Sequence, residues 1–246
     1  MAQKTPKMVL VHGAWAGAWA WDRMVPALAE RGIESIAVEL PGCGSSSTNG
    51  WRVSLAEYGD AVNAATEGDP AILVGHSAGG FAITQAACAA PTPHVALIYL
   101  AAYLPADGER LARLARGDAD SQIKKQIKVD PFRGVMRLMS EGLDEVLYHD
   151  YTGDDLEALL QRHTPEPLRP GLARAKLTPR FHDTPKYYIQ CARDRALSLG
   201  YQEWMCSRYG ITPSVVLDSG HMPILTDPNG LGEQLEAIMQ QTGRAT

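Results

Sequence analysis

The sequence is poor in cysteine and in aromatic residues, and it has no excess of positive charge. Its four cysteines are widely separated, without a CxxC pair or the Cys/His spacing of a zinc site, so we predict neither a disulfide framework nor a metal site. The 23 lysines and arginines are outnumbered by 28 aspartates and glutamates, which gives a net charge of −5 at pH 7. A chain without a basic cluster and interleaved aromatic residues lacks the usual signature of nucleic-acid binding. We therefore expect no nucleic-acid partner.

Long hydrophobic runs are also missing. No segment approaches the roughly 20 apolar residues that a membrane-spanning helix requires. The first residues, MAQKTPKMVLVHG, contain no apolar stretch of the length found in a signal peptide. These absences lead us to expect an intracellular, cytoplasmic protein that has no membrane partner.

The chain does contain a regular series of short apolar runs. Hydrophobic residues make up 45% of its 246 residues, which is enough to bury one large core. Six runs rich in Val, Ile, Leu and Tyr alternate with helical patterns, as is typical of parallel strands covered by helices on both faces. The predicted strands are Met8–His12, Ser35–Glu39, Ala71–Gly75, Val95–Ala101, Lys186–Cys191 and Ser214–Asp218. We predict a single α/β domain over residues 1–246 with a mainly parallel, six-stranded sheet.

The alternation stops between the fourth and fifth predicted strands, over residues 104–185. This stretch is rich in charge, proline and glycine, yet it carries short amphipathic pieces at 143–149 and 154–162. It is too long for a plain loop in a compact domain. We predict that it forms a helical cap over the ends of the strands.

The segment LVGHSAGG, at residues 73–80, carries the strongest candidate for catalysis. Its pattern Gly75-x-Ser77-x-Gly79 follows an apolar predicted strand and precedes an alanine-rich predicted helix. Such a pattern is typical of a nucleophile elbow, in which a strand turns sharply into a helix and exposes the side chain of a strained serine. A serine in an ordinary tight turn is the alternative. The flanking strand and helix favour Ser77 as a nucleophile.

A serine nucleophile requires a base and a third group that orients the base. In this arrangement the three residues follow one another along the chain as Ser, Asp or Glu, and His. His221 follows the sixth predicted strand, in DSGHMPIL, and Asp194 follows the fifth, in YYIQCARDRA. Both lie where the carboxyl ends of parallel strands form ligand sites. We predict His221 as the base and Asp194 as its partner. The alternatives are a salt bridge of Asp194 with Arg193 or Arg195, and Asp107 as the acid.

Acyl transfer also requires hydrogen-bond donors for the developing oxyanion. The loop after the first predicted strand, in VLVHGAWAGAW, leaves the backbone N–H of Ala14 able to face Ser77. The second predicted donor is the N–H of Ala78, which heads the helix after Ser77. Trp15 is placed to form a wall of the acyl pocket.

These segments together resemble the α/β-hydrolase superfamily, and within it the branch of plant methylesterases, hydroxynitrile lyases and bacterial esterase relatives. The segments that carry the resemblance are VLVHGAWAGAWAW, ELPGCGSS, GHSAGG, YLAAYLPADGE, YYIQCARDRA and DSGHMPIL. The resemblance covers nearly the whole chain and implies an α/β-hydrolase fold with a six-stranded core. In the lyases of this branch, the histidine after the first strand is followed by threonine, and the catalytic histidine is followed by lysine. The corresponding residues here are Gly13 and Met222. Both departures favour an esterase.

The sequence therefore predicts a serine hydrolase that needs no cofactor and cleaves a carboxylic ester, with a small or methyl alcohol part, through an acyl-enzyme. From their positions, Trp15, Tyr103 and Met222 are expected to contact the small-molecule ester substrate. One alternative is another reaction on the same three residues, as in a hydroxynitrile lyase, a lactonase or a biosynthetic cyclase. Another is a ligand receptor that keeps the hydrolase fold. A homodimer is compatible with the sequence.

Overall fold

A six-stranded sheet runs through the computed structural model, which describes residues 5–45 and 49–244. Within these residues the strands are β1 (Met8–Val11), β2 (Ser35–Val38), β3 (Ile72–His76), β4 (Ala96–Leu100), β5 (Ile127–Asp130), β6 (Val135–Leu138), β7 (Glu166–Pro167), β8 (Lys186–Cys191) and β9 (Val215–Leu217). The order in the large sheet is β2-β1-β3-β4-β8-β9, and every neighbouring pair is parallel. The predicted six-stranded parallel sheet is confirmed.

Helices connect the strands of this sheet. In the described part of the chain they are α1 (Met24–Ala29), α2 (Leu55–Ala64), α3 (Gly79–Ala89), α4 (Leu111–Gly117), α5 (Leu143–Leu147), α6 (Leu156–Gln161), α7 (Leu168–Leu172), α8 (Pro179–Asp183), α9 (Leu199–Ser207), α10 (Pro223–Thr226) and α11 (Pro228–Arg244), with 3-10 helices at Ala18–Trp21 and Ile123–Gln126. The start of α2 is fixed by Ser54, whose hydroxyl accepts the N–H of Glu57 while the Glu57 carboxylate accepts the N–H of Ser54. None of the described helices is long and apolar enough to cross a membrane.

Alternate residues of each central strand point to opposite faces of the sheet. Met8 and Leu10 of β1 belong to a core that also contains residues of α1 and α11. Val9 and Val11 belong to a second core that contains residues of α2 and α3. All four side chains are fully buried. Because both faces are covered, such strands appear in the sequence as unbroken apolar runs, and this is why the pattern locates them.

The segment between β4 and β8 contains α4 to α8 and a second, antiparallel sheet of order β5-β6-β7. Helices are predicted here, whereas this small sheet is not. Its first two strands expose Lys128, Val129 and Arg137, so they lack the continuous apolar character that marks the strands of the large sheet. The description of residues 104–185 as an insertion within a single domain stays a prediction.

Candidate active site

Ser77 lies in the turn between β3 and α3, at the carboxyl end of the large sheet. Its φ is 53°, in the left-handed region that residues other than glycine rarely adopt. The Ser77 N–H donates to the carbonyl oxygen of Leu100 at 3.2 Å, and the Ser77 carbonyl oxygen accepts the N–H of Tyr103 at 3.0 Å. These two bonds tie the strained turn to the end of β4 and to the chain beyond it.

Two glycines allow this turn to pack against the loop after β1. A Cβ atom added to Gly13 would lie 2.9 Å from the Cβ of Ser77. A Cβ atom added to Gly79 would lie 2.6 Å from the carbonyl oxygen of His12 and 2.7 Å from that of Val11. Both positions therefore require glycine, because a larger residue would push the loop and the turn apart.

We expect Gly79→Ala to destabilise the protein by roughly 1 to 3 kcal/mol, because the new methyl group meets backbone atoms that can move only with the sheet. Urea unfolding measures the change. Gly200 in α9 is the matched control, since a Cβ atom there meets nothing within 4 Å. Gly200→Ala should leave the free energy of unfolding equal or raise it by up to about 1 kcal/mol. Equal effects of the two substitutions would contradict the close packing of the turn.

His221, which follows β9, and Asp194, which follows β8, form a buried hydrogen bond. His221 Nδ1 lies 2.6 Å from Asp194 Oδ2, and the two side chains are 5% and 0% exposed. Asp194 Oδ1 accepts the N–H groups of Ala196 at 2.7 Å and Leu197 at 2.8 Å. The carboxylate is thus held by three donors, and its orientation is fixed. Because Nδ1 donates to this carboxylate, Nε2 is the basic nitrogen of His221.

Neither of the alternatives to the pairing of Asp194 with His221 is formed in the structure. Arg193 pairs with Asp218 at 2.8 Å, and Arg195 donates to the carbonyl oxygen of Glu145 at 2.8 Å. Asp107 is exposed, and its carboxylate accepts the N–H of Leu177 at 2.9 Å. Among the acids considered from the sequence, the structure brings Asp194 to His221.

A second histidine, His76 at the end of β3, supports the main chain of His221. The ring centroids of the two histidines are 4.7 Å apart, and His76 Nε2 donates to the carbonyl oxygen of His221 at 2.8 Å. Burial lowers the pKa of His76 to about 3, so this ring is neutral near pH 7. His76 therefore holds the loop that carries His221 and adds no positive charge next to it.

The two predicted oxyanion residues, Ala14 and Ala78, line the same cavity as Ser77. Ala78 is the N-cap of α3, and the first N–H groups of a helix have no acceptor within the helix. Ala14 lies in the loop after β1, which His12 holds by donating from Nδ1 to the carbonyl oxygen of Gly13 at 2.8 Å. Burial lowers the pKa of His12, which keeps its ring neutral.

The cavity has a volume of about 520 Å³. Ser77 and His221 line it, and so do the three predicted substrate contacts, Trp15, Tyr103 and Met222. Much of the remaining wall comes from apolar residues between β4 and β8, which include Leu111, Ile123, Ile127, Met136 and Leu147. Among residues 5–45 and 49–244, no three His, Cys, Asp or Glu side chains are grouped so that they could hold a metal ion.

Acidic residues between β4 and β8 hold the loops of His221 and Asp194, a role that the sequence analysis missed. Asp150 Oδ2 accepts the N–H of Gly220 at 2.5 Å. Asp118 accepts the N–H of Ser198 at 2.8 Å and its hydroxyl at 2.7 Å. Both acids occur in a charged stretch of sequence, where an acid is usually solvated, so no local signal distinguishes them. Their partners are 70 and 80 residues away along the chain.

Comparison with known proteins identifies relatives that cover nearly the whole chain. A family model described as "Alpha/beta hydrolase family" matches residues 8–233. The chain is 32% identical over 253 residues to "Putative methylesterase 14, chloroplastic" of Arabidopsis thaliana, which covers 95% of this chain and 72% of that protein. It is 26% identical over 249 residues to norfluorocurarine synthase 1 of a Strychnos species, which covers 94% of each chain.

Solved structures agree with the fold. The crystal structure of a pyrethroid hydrolase from Sphingobium faniae superposes with a TM-score of 0.82 at 24% sequence identity, and the match covers 96% of this chain and 97% of that one. This likeness concerns the arrangement of the backbone. The chemistry depends on the side chains around Ser77.

Proposed function

Because the chain belongs to the α/β hydrolase family, we propose that it is a serine esterase in which Ser77, His221 and Asp194 act together. The observation that carries the proposal is the 2.6 Å bond between His221 Nδ1 and Asp194 Oδ2, together with a left-handed Ser77 that lines the same cavity as His221. A buried carboxylate, an oriented imidazole and a serine that lines the substrate cavity are the groups that nucleophilic acyl transfer requires. The reaction needs no cofactor.

In the first half of the proposed reaction, Ser77 Oγ attacks the ester carbonyl carbon. His221 Nε2 takes the hydroxyl proton, and Asp194 stabilises the imidazolium that forms. The same proton passes to the departing alcohol, which leaves Ser77 acylated. In the second half, water attacks the acyl group and His221 takes a proton from that water. The bond between the acyl carbon and Ser77 Oγ then breaks, His221 gives the proton to Ser77 Oγ, and the carboxylic acid is released.

The backbone N–H groups of Ala14 and Ala78 are the proposed donors to the oxyanion. The N–H of Ala78 stands at the start of α3, an eleven-residue helix, where the helix dipole also favours negative charge. Ala14 lines the same cavity as Ser77, in a loop whose preceding carbonyl group is fixed by His12. Loss of one such donor typically lowers kcat by about 10² to 10³.

Two residues next to these groups support ester hydrolysis over a lyase reaction. In a lyase of the branch that this chain resembles, β1 is followed by His-Thr and the catalytic histidine is followed by lysine. Here the loop has Gly13, and His221 is followed by Met222, which is 3% exposed and lines the cavity. A buried thioether supplies no positive charge for an anionic leaving group. The surroundings of His221 therefore favour an esterase.

The cavity supports a bulky, apolar acyl group combined with a small alcohol. Its volume of about 520 Å³ lies within the range of pockets that hold drug-sized ligands. Trp15, Tyr103 and Met222 contribute to a wall that is mostly apolar. The proposed substrate class is a methyl or other small ester of a hydrophobic carboxylic acid.

Steady-state hydrolysis of p-nitrophenyl and methyl esters with acyl groups of increasing length tests this function. Each buried methylene contributes about 0.8 kcal/mol, so kcat/KM should rise about fourfold per methylene until the cavity is filled. A value of kcat/KM that falls steadily from the acetate would contradict the apolar acyl pocket. No turnover of any ester by folded protein would contradict the esterase function and favour lyase, cyclase or receptor activity.

A further inference from the structure

A buried carboxyl group, that of Glu166 in β7, lies behind the loop that carries Ala14. The residue is 5% exposed. Glu166 Oε2 accepts the N–H of Trp15 at 3.2 Å, and Oε1 accepts the Tyr58 hydroxyl at 3.1 Å. The Cys43 thiol lies 3.4 Å from Oε2. All three neighbours are hydrogen-bond donors, and the reaction proposed above uses none of them.

Both polar groups of the Trp15 main chain are bonded to one short segment, residues 163–166. The N–H of Trp15 donates to Glu166, as described above. The carbonyl oxygen of Trp15 accepts the N–H of Thr164 at 2.9 Å and His163 Nδ1 at 3.2 Å. Trp15 has φ 61°, a left-handed conformation that a residue other than glycine keeps only where its surroundings impose it. Residues 163–166 supply that constraint.

These contacts hold the chain directly after Ala14, whose N–H is the proposed oxyanion donor. The peptide group before Ala14 is fixed through its carbonyl end, because His12 donates to the oxygen of Gly13. In a trans peptide the N–H points away from that oxygen. The peptide group after Ala14 is fixed through its nitrogen end by Glu166. The Ala14 N–H belongs to the first of these peptide groups and the bond to Glu166 holds the second, so the chain is held on both sides of this donor.

We propose that Glu166 is a positioning residue, which fixes the oxyanion donor at Ala14 by accepting the N–H of Trp15 and does so more strongly as a carboxylate. This inference rests on the proposed function for its catalytic consequence. The hydrogen bond itself can be tested without any substrate.

The surroundings of Glu166 make its protonation change near neutral pH. Within residues 5–45 and 49–244 it forms no salt bridge. The polar groups that face it are the Trp15 N–H, the Tyr58 hydroxyl and the Cys43 thiol. Burial raises the pKa of Glu166 to about 7. A carboxylate accepts hydrogen bonds roughly twice as strongly as a neutral carboxyl group, so the bond to Trp15 should tighten as the pH rises through that value.

The first experiment follows the backbone amide of Trp15 by NMR in protein labelled with ¹⁵N-tryptophan, with the signal assigned from a Trp15→Phe variant. We expect the Trp15 amide proton to move downfield as the pH rises through about 7, because the hydrogen bond shortens when Glu166 ionises. In Glu166→Gln this transition should disappear. Burial lowers the pKa of the neighbouring His163 to about 4, which separates its titration from that of Glu166. A transition that persists in Glu166→Gln would overturn the proposal.

The second experiment measures ester hydrolysis at about pH 6, where Glu166 is mostly neutral. Glu166→Gln keeps an acceptor for Trp15 and should retain kcat within about threefold. Glu166→Leu leaves the Trp15 N–H without an acceptor and should lower kcat at least about tenfold with KM nearly unchanged, as for a donor that acts in the transition state. Tyr58→Phe removes a different donor from the same carboxyl group and should keep kcat within about threefold. Equal losses in Glu166→Leu and Tyr58→Phe, or a loss confined to KM, would show a purely structural role.

The two experiments separate the failure of this inference from that of the proposed function. If the wild type hydrolyses no ester, the esterase proposal fails, while the NMR titration still decides whether Glu166 holds Trp15. If the wild type is active and the Trp15 signal does not titrate, the inference about Glu166 fails alone. If Glu166→Leu does not fold, comparison of wild type with Glu166→Gln above about pH 8 replaces it. There the wild type should have the higher kcat, and equal values would overturn the proposal.

Discussion

Replacing Ser77 by alanine is expected to lower kcat for ester hydrolysis by about 10⁵- to 10⁶-fold, because every covalent step of the proposed reaction passes through its hydroxyl oxygen. The substitution should leave stability nearly unchanged. Serine and alanine have the same backbone strain at φ 53°, because both carry a Cβ atom. The bonds to Leu100 and Tyr103 come from the Ser77 main chain, which the substitution keeps. Steady-state kinetics and urea unfolding of the same preparation measure both quantities.

The matched control for this substitution is Ser207→Ala. Ser207 is an exposed residue at the end of α9, and its hydroxyl donates to the carbonyl oxygen of Trp204 at 2.8 Å. Ser207→Ala should change kcat by less than about twofold. Retention of most of the activity in Ser77→Ala would remove Ser77 from the mechanism. A large loss in both variants would point to damage unrelated to the nucleophile.

Replacing Asp194 by asparagine is expected to lower kcat by about 10⁴-fold without unfolding the protein. The reason lies in the two main-chain donors. Oδ1 accepts the N–H groups of Ala196 and Leu197, so the asparagine oxygen would stay there and its NH₂ group would face His221. Nδ1 of His221 would then have to accept a hydrogen bond and Nε2 would carry the proton. An imidazole in that tautomer cannot take the proton of Ser77.

Asp107→Asn is the control that separates the two acids considered from the sequence. Asp107 is exposed and uses Oδ1 to accept the N–H of Leu177, a bond that asparagine can also make. It should keep kcat within about twofold. Measuring kcat between about pH 5 and 9 for both variants distinguishes a change of tautomer from a general loss of folded enzyme. A large loss of kcat in Asp107→Asn, together with an active Asp194→Asn, would contradict the role of Asp194 and favour Asp107 as the acid.

The sequence predicts the large sheet because its strands are local, unbroken apolar runs. It also leads to the pairing of His221 with Asp194, because each residue follows a predicted strand and the carboxyl ends of parallel strands meet at one edge. The elbow around Ser77 is recognisable from its glycines. Its close packing against the loop after β1 leaves room only for glycine at positions 13 and 79, and glycine is visible in a sequence.

The part between β4 and β8 escapes this reasoning. The short strands β5 and β6 are half exposed and charged, so periodicity does not separate them from loops. The acids that hold the loops of His221 and Asp194 are equally hidden. Glu166 stands between two prolines in a polar stretch, and its partner Trp15 is 151 residues away. Only tertiary packing converts such residues from solvated acids into fixed acceptors.

The most direct test of the account is whether Ser77 becomes acylated during turnover. Wild-type protein is mixed rapidly with a p-nitrophenyl ester of a hydrophobic acid, quenched with acid on the millisecond scale and analysed by mass spectrometry. The account predicts a mass increase of one acyl group on the peptide that contains Ser77 and, for an ester whose acyl-enzyme is hydrolysed slowly, a burst of p-nitrophenol equal to the enzyme concentration. A burst with Ser77 unmodified, or an acyl group on another residue, would contradict it.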